Sequence, residues 1–160
     1  MIFPMYIDGK WFDGAGRQMQ DVVSPGNGEV LGQIPLGTAE DVDAAMQAAK
    51  KAAPALAAMS VFERAEICYK IADKIDQCQE ELARLLTAEH GKPFHGEAMG
   101  EVAACALAFR DAAEQIKWMD GKVVPLRDKN ARCLVTRKPK GIFAIITPWN
   151  FPLGTACQYY

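Results

Sequence analysis

At 160 residues and 50% hydrophobic composition the chain is long enough to bury a domain-sized core. Lys plus Arg number 18 against 20 Asp plus Glu, a net charge of -2 with no basic block, which argues against a nucleic-acid partner. Met1 to Asp8 lack the basic start and apolar core of a signal peptide, and no apolar run approaches membrane-spanning length, so a soluble, cytoplasmic protein with no membrane partner is expected.

Met5 to Phe12 reads as strand, Asp-Gly turn, strand. Asp21 to Ser24 and Glu29 to Ile34 flank Pro25-Gly-Asn-Gly28 as a second strand pair. The spacing of Gly14, Gly16, Gly26 and Gly28 suits turns and lacks that of a dinucleotide fingerprint. Thr38-Ala-Glu-Asp41 begins a helix with a capping hydroxyl, and Val42, Ala45, Met46 and Ala49 continue it until Pro54 ends or kinks it. Ser60-Val-Phe-Glu63 is a capping box. Behind it Ile67, Ile71, Ile75, Cys78, Leu82, Leu85 and Leu86 predict one long helix with a single core stripe.

Glu89-His-Gly-Lys-Pro93 interrupts that pattern, and Val102, Cys105, Ala106, Phe109, Ala113 and Ile116 resume it to about Trp118. Gly91 and Pro93 deny His90 and His95 the i, i+4 geometry of a two-histidine site, so no metal is expected there. Lys122 to Leu126 and Ala131 to Arg137 predict a charged hairpin that must rest on this chain's sheet or on another subunit. Five cysteines, at 68, 78, 105, 133 and 157, form no Cys-x-x-Cys pair, which argues for free thiols in a reducing compartment.

Ile142 to Ile146 is an unbroken apolar run between Gly141 and Pro148, as expected of a strand buried on both faces of a parallel sheet. Thr147-Pro-Trp-Asn-Phe-Pro152 follows, where open α/β sheets place ligands. Pro148 and Pro152 stiffen the backbone on either side of Asn150. A carboxamide has neither useful acidity nor nucleophilicity. Asn150 would therefore donate to an oxygen that gains negative charge, or else form a local Asx turn or cap a helix beginning at Pro152.

Lys138-Pro-Lys-Gly141, the apolar run and Pro-Trp-Asn-Phe-Pro152 resemble a segment of the NAD(P)-dependent aldehyde dehydrogenase superfamily. Ile-Asp-Gly-Lys-Trp11, Ser-Pro-Gly-Asn-Gly-Glu-Val30, Thr-Ala-Glu-Asp-Val-Asp43 and Glu-His-Gly-Lys-Pro93 extend the resemblance in the family's order. It implies an α/β fold, the amino-terminal part of the aldehyde dehydrogenase fold: strand hairpins, long helices, an oligomerisation hairpin and the first strand of the dinucleotide-binding sheet. The implied divisions are 1–120 within the cofactor-binding domain, 121–139 as the oligomerisation hairpin, and 140–160 as that strand with its oxyanion and cofactor loop.

The same resemblance implies oxidation of a small-molecule aldehyde with NAD or NADP in a homo-oligomer, dimer or tetramer. Asn150 would be the oxyanion donor, and Ile146, Thr147, Pro148 and Trp149 would line the nicotinamide-ribose side. The family's Gly-x-Thr-x-x-Gly turn, glutamate base and cysteine nucleophile have no match here. Cys157 stands in the wrong motif to be that nucleophile, and a hydrolase built on it would have to draw on His90 or His95. The expectation is an amino-terminal portion of a longer enzyme, inactive alone. The alternative is a truncated assembly module acting through the hairpin at 121–139.

Overall fold

The computed structural model describes residues 1–159. Strands β1 (Met5–Ile7) and β2 (Lys10–Phe12) pair antiparallel, with the Tyr6 and Trp11 rings 4.8 Å apart across the ribbon. Positive φ at Asp8 (50°) and Gly9 (75°) gives the turn the hand that matches strand twist. Strands β3 (Met19–Val23) and β4 (Val30–Pro35) form a second antiparallel pair, with a register shift between Val22 and Val23.

Helix α1 (Ala39–Ala58) opens on a complete capping box between Thr38 and Asp41, and Arg17 bonds Asp41 at 2.8 Å, fastening its start to the strand region. Pro54 does not end it: the helix runs on to Ala58. Helix α2 (Val61–Gln77) begins at the Ser60–Glu63 box. The single long helix expected from 60 to 86 divides at Cys78, where φ is -105° and ψ 13°, and resumes as α3 (Gln79–His90). After Pro93 a π-helical turn at Phe94–Ala98 leads into α4 (Met99–Gln115).

The core lies where α4 packs on α2 and α3. One cluster holds Ala72, Ala106 and Phe109, and the other holds Ala83, Leu86, Ala98 and Val102. The expected stripe is partly displaced, because Ile67, Ile71 and Leu85 are exposed while Ala65, Ala72 and Ala83 are buried. Close helix approach selects small side chains at the contact, and a reading weighted by large apolar residues points to the neighbouring face. On α4, Val102, Cys105, Ala106, Phe109 and Ala113 are buried as expected.

A short 3-10 turn, Ile116–Trp118, precedes β5 (Lys122–Val124) and β6 (Cys133–Val135), which pair antiparallel as an outlying ribbon. Every sheet among the described residues is two-stranded. Ile142 to Ile146, expected as a strand, forms no ladder and Ile146 is 96% exposed. A strand is completed by its neighbours' N–H and C=O groups, and no described segment supplies them. The last helix among the described residues is α5 (Pro152–Cys157), packed against α4.

Candidate active-site segment

The segment Ile146–Leu153 is anchored from beneath by residues that lie far away in sequence. Helix α3 terminates at Gly91, whose φ of 78° is the left-handed C-cap conformation, and the chain then carries Lys92 into the interior. A Cβ at position 91 would stand 3.1 Å from Pro25 Cγ, so glycine there serves both the turn and the packing.

The Lys92 ammonium donates to Glu101 Oε2 at 2.5 Å and to the Asn150 carbonyl at 3.0 Å, and lies 4.0 Å from the centre of the Phe151 ring. Glu101 Oε1 accepts the backbone N–H groups of Leu153 (3.1 Å) and Gly154 (2.8 Å). These are free donors of the first turn of α5, which has Pro152 at its start and no local side-chain cap. A Cβ on Gly154 would come within 3.3 Å of Glu101 Cγ, so the bare glycine lets the carboxylate approach. The two side chains are 5% and 2% exposed. Burial alone would push the Glu101 carboxyl up, but the Lys92 ammonium and the two N–H donors outweigh it and hold its pKa below the usual 4.5.

Against this buried anchor the expected site residues are open. Asn150 is exposed, and its tie to the interior is through its carbonyl. It does not cap α5, since Phe151 occupies the N-cap position and no side chain bonds the cap. Trp149 is 81% exposed and stacks on His90, with centroids 6.2 Å apart and planes at 23°. Ile146 and Pro148 border an open groove of about 490 Å³ with Phe143, Thr155 and Tyr159, while Thr147 is half-buried. The structure thus places Ile146, Thr147, Pro148, Trp149 and Asn150 in the irregular segment that leads into α5.

Cys157, at the end of α5, packs into the Ala72, Ala106 and Phe109 cluster. Interaction with Cys157, together with burial, pushes the Cys105 thiol pKa up, and the same interaction lowers that of Cys157. His90 faces Trp149 and His95 faces Phe94. All five cysteines are free, and no group of three or more metal-ligating side chains gathers among the described residues. No helix among them is long and apolar enough to cross a membrane.

Sequence reasoning missed Lys92 and Glu101 as parts of this site. Lys92 stood in the Glu-His-Gly-Lys-Pro93 motif, and Glu101 lies beside Val102 on the buried face of α4. An acid on an apolar helix face is the signal that could have found them, because such a charge is seldom buried without a partner.

The fold, three two-stranded ribbons and long helices leading to a proline-bracketed Trp-Asn segment, is of the α/β class. The chain belongs to the aldehyde dehydrogenase family, whose model matches residues 11–159. It is 39% identical over 146 residues to a succinate-semialdehyde dehydrogenase [NADP(+)] of Escherichia coli strain K12, covering 91% of this chain and 30% of that protein. The solved succinate-semialdehyde dehydrogenase from Burkholderia pseudomallei superposes with a TM-score of 0.93 at 35% identity, covering 98% of this chain and 32% of that one. PnpE of Pseudomonas sp. WBC-3, solved with nicotinamide adenine dinucleotide, gives 0.91 at 39% identity, with 98% and 32% covered. The chain therefore spans about 30% of the length of the curated relatives it matches.

Proposed function

We propose that this chain supplies the oxyanion donor and the nicotinamide-side wall of a longer enzyme that oxidises a small-molecule aldehyde to a carboxylic acid with NAD or NADP. The observation that carries the reading is Asn150: its carboxamide is exposed while its backbone carbonyl is held by a buried ammonium. A donor fixed before reaction need not reorganise as charge develops, which is what oxyanion stabilisation requires. Asn150 would donate to the carbonyl oxygen of the aldehyde as a nucleophile from outside this chain adds to the carbon.

Ile146, Thr147, Pro148 and Trp149 would hold the nicotinamide-ribose side of the cofactor. Exposed apolar atoms of Ile146 and Pro148 along the groove, with the nearby Trp149 ring, suit a flat heteroaromatic ring. The nicotinamide would supply the hydride acceptor. Two relatives named for succinate- and glutarate-semialdehyde support an aldehyde that carries a carboxylate.

In this reading residues 1–120 belong to the cofactor-binding domain, 121–139 form the oligomerisation hairpin, and 140–160 open the dinucleotide-binding sheet. A homo-oligomer, dimer or tetramer, is favoured by the outlying ribbon, where Val123 and Leu134 are exposed on strands that no other described strand joins. The same ribbon favours the second reading, a non-catalytic assembly module. The free thiols suit a reducing, cytoplasmic setting.

Two experiments test the proposal. The isolated 160-residue chain should oxidise no aldehyde and give no heat of nicotinamide cofactor binding in calorimetry; low-micromolar binding would overturn that expectation. In the longer enzyme, Asn150→Ala should slow single-turnover acylation by about 100- to 1000-fold, roughly 2.7 to 4 kcal/mol, with little change in thermal midpoint. Asn150→Asp, which places an anion where an anion must form, should be slower still than the parent; acylation at the parent rate would exclude the oxyanion role.

A further inference from the structure

Lys92 and Glu101 are the buried charged residues of the described chain, and nothing in the proposed chemistry uses them directly. Removing two opposite charges from water is unfavourable unless nearly every remaining donor and acceptor finds a partner. Here they do. The ammonium meets Glu101 Oε2, the Asn150 carbonyl and the face of Phe151, and the carboxylate's second oxygen meets the N–H groups of Leu153 and Gly154. The polar contacts of the pair outside itself thus fall on residues 150 to 154.

Pro148 and Pro152 restrict the backbone on each side of Asn150, yet neither fixes the peptide plane between Asn150 and Phe151. Rotation of that plane would turn the Asn150 carbonyl away from Lys92 and redirect the side chain. We propose that the buried Lys92–Glu101 pair is the positioning element of Asn150, holding its carbonyl from one side and the first turn of α5 from the other so that the carboxamide leaves the backbone in one direction. The inference rests on the oxyanion reading of Asn150 and adds two residues that touch neither substrate nor cofactor. Misplacement of a reacting partner by about 1 Å costs on the order of 100-fold in rate, so anchoring of this kind has a measurable kinetic consequence.

The test is a double-mutant cycle in the longer enzyme that carries this chain, with succinate semialdehyde and NADP+ as probes. Lys92→Met should slow single-turnover acylation by about 10- to 100-fold while the cofactor dissociation constant moves less than about threefold. Lys92→Arg, which keeps the charge and reaches the same carbonyl, should recover most of that rate. The double variant Lys92→Met/Asn150→Ala should be no slower than Asn150→Ala alone, because a residue that acts only through Asn150 has nothing left to position. Should Lys92→Met fail to fold, Glu101→Gln, which keeps the shape and removes the charge, runs the same cycle.

Additive losses, or folded Lys92→Met and Glu101→Gln variants acylating at the parent rate while Asn150→Ala is slow, would overturn the positioning role and leave the oxyanion role standing. An Asn150→Ala enzyme that acylates at the parent rate would remove the oxyanion role and this inference with it.

Discussion

The α2–α4 helix pair and the segment from Gly141 to Ile146 are both rich in apolar residues, yet one is core and the other is bare. Helices satisfy their backbone groups internally, so Ala72, Ala106 and Phe109 need only one another to leave water. The segment at 142–146 needs strands on both sides, and the described chain offers none. Apolar content alone therefore does not decide what is buried. The decisive condition is whether the chain itself carries the partner.

The largest effect expected from this contrast comes from exchanging a phenylalanine in each region. Phe109 is 5% exposed and Phe143 is 69% exposed. Phe109→Ala should cost about 3–5 kcal/mol through lost burial and a cavity. Phe143→Ala should stay within about 0.5 kcal/mol, the range of ordinary surface changes. Urea unfolding followed by helical circular dichroism measures both, and comparable losses would mean that the 141–146 segment is packed in solution.

The buried ion pair ties α4 to residues 150 to 154, just beyond the bare segment, and its titration sharpens the comparison. The Glu101 carboxyl has a folded pKa below its usual 4.5. The unfolded chain then binds the proton more readily, so the stabilisation is complete above that value and is lost as pH falls through the lower, folded value. In an acid titration the stability of the parent should fall more steeply below pH 4.5 than that of Glu101→Gln. Parallel profiles would show that this carboxylate does not stabilise the junction of α4 with residues 150 to 154.

Much of the architecture was legible because its causes are local. The Asp8-Gly9 turn, the capping hydroxyl of Thr38, the box at Ser60 and the break at Gly91 each depend on a few adjacent residues, and all appear where the residues place them. The Pro-Trp-Asn-Phe-Pro152 turn was equally visible. Three features were not. The buried faces of α2 and α3 depend on how closely α4 approaches, which favours Ala65, Ala72 and Ala83 over larger neighbours. The anchor joins Lys92 to positions 9 and 58 residues away, a pairing no local pattern reveals. The break at Cys78 has no glycine or proline to announce it.

The helical region offers a smaller test than its core. Ser60→Ala removes the acceptor for the Glu63 N–H and half of a reciprocal pair at the start of α2. The expected cost is about 1 kcal/mol, visible as a lower urea midpoint with unchanged slope. A change in slope would mean that the cap shapes the whole helix pair.

The smallest expected effect on stability falls on Ile146, and there the comparison can be broken in the opposite direction. The side chain is 96% exposed and packs on no core cluster, so Ile146→Lys should move the unfolding midpoint within the range of surface substitutions, about 0.5 kcal/mol. Its effect should appear in association instead. An apolar run with unpaired N–H and C=O groups is a template for another chain, and a lysine on such an edge opposes pairing through charge and solvation. Sedimentation velocity of the 160-residue chain should show self-association that rises with concentration in the parent and weakens in Ile146→Lys. Equal association in both would place the self-contact elsewhere, with the exposed β5–β6 ribbon the next segment to charge. A parent that stays monodisperse and monomeric would mean that the run finds cover within its own chain, and the contrast between a self-sufficient helix pair and a partner-dependent strand would no longer hold.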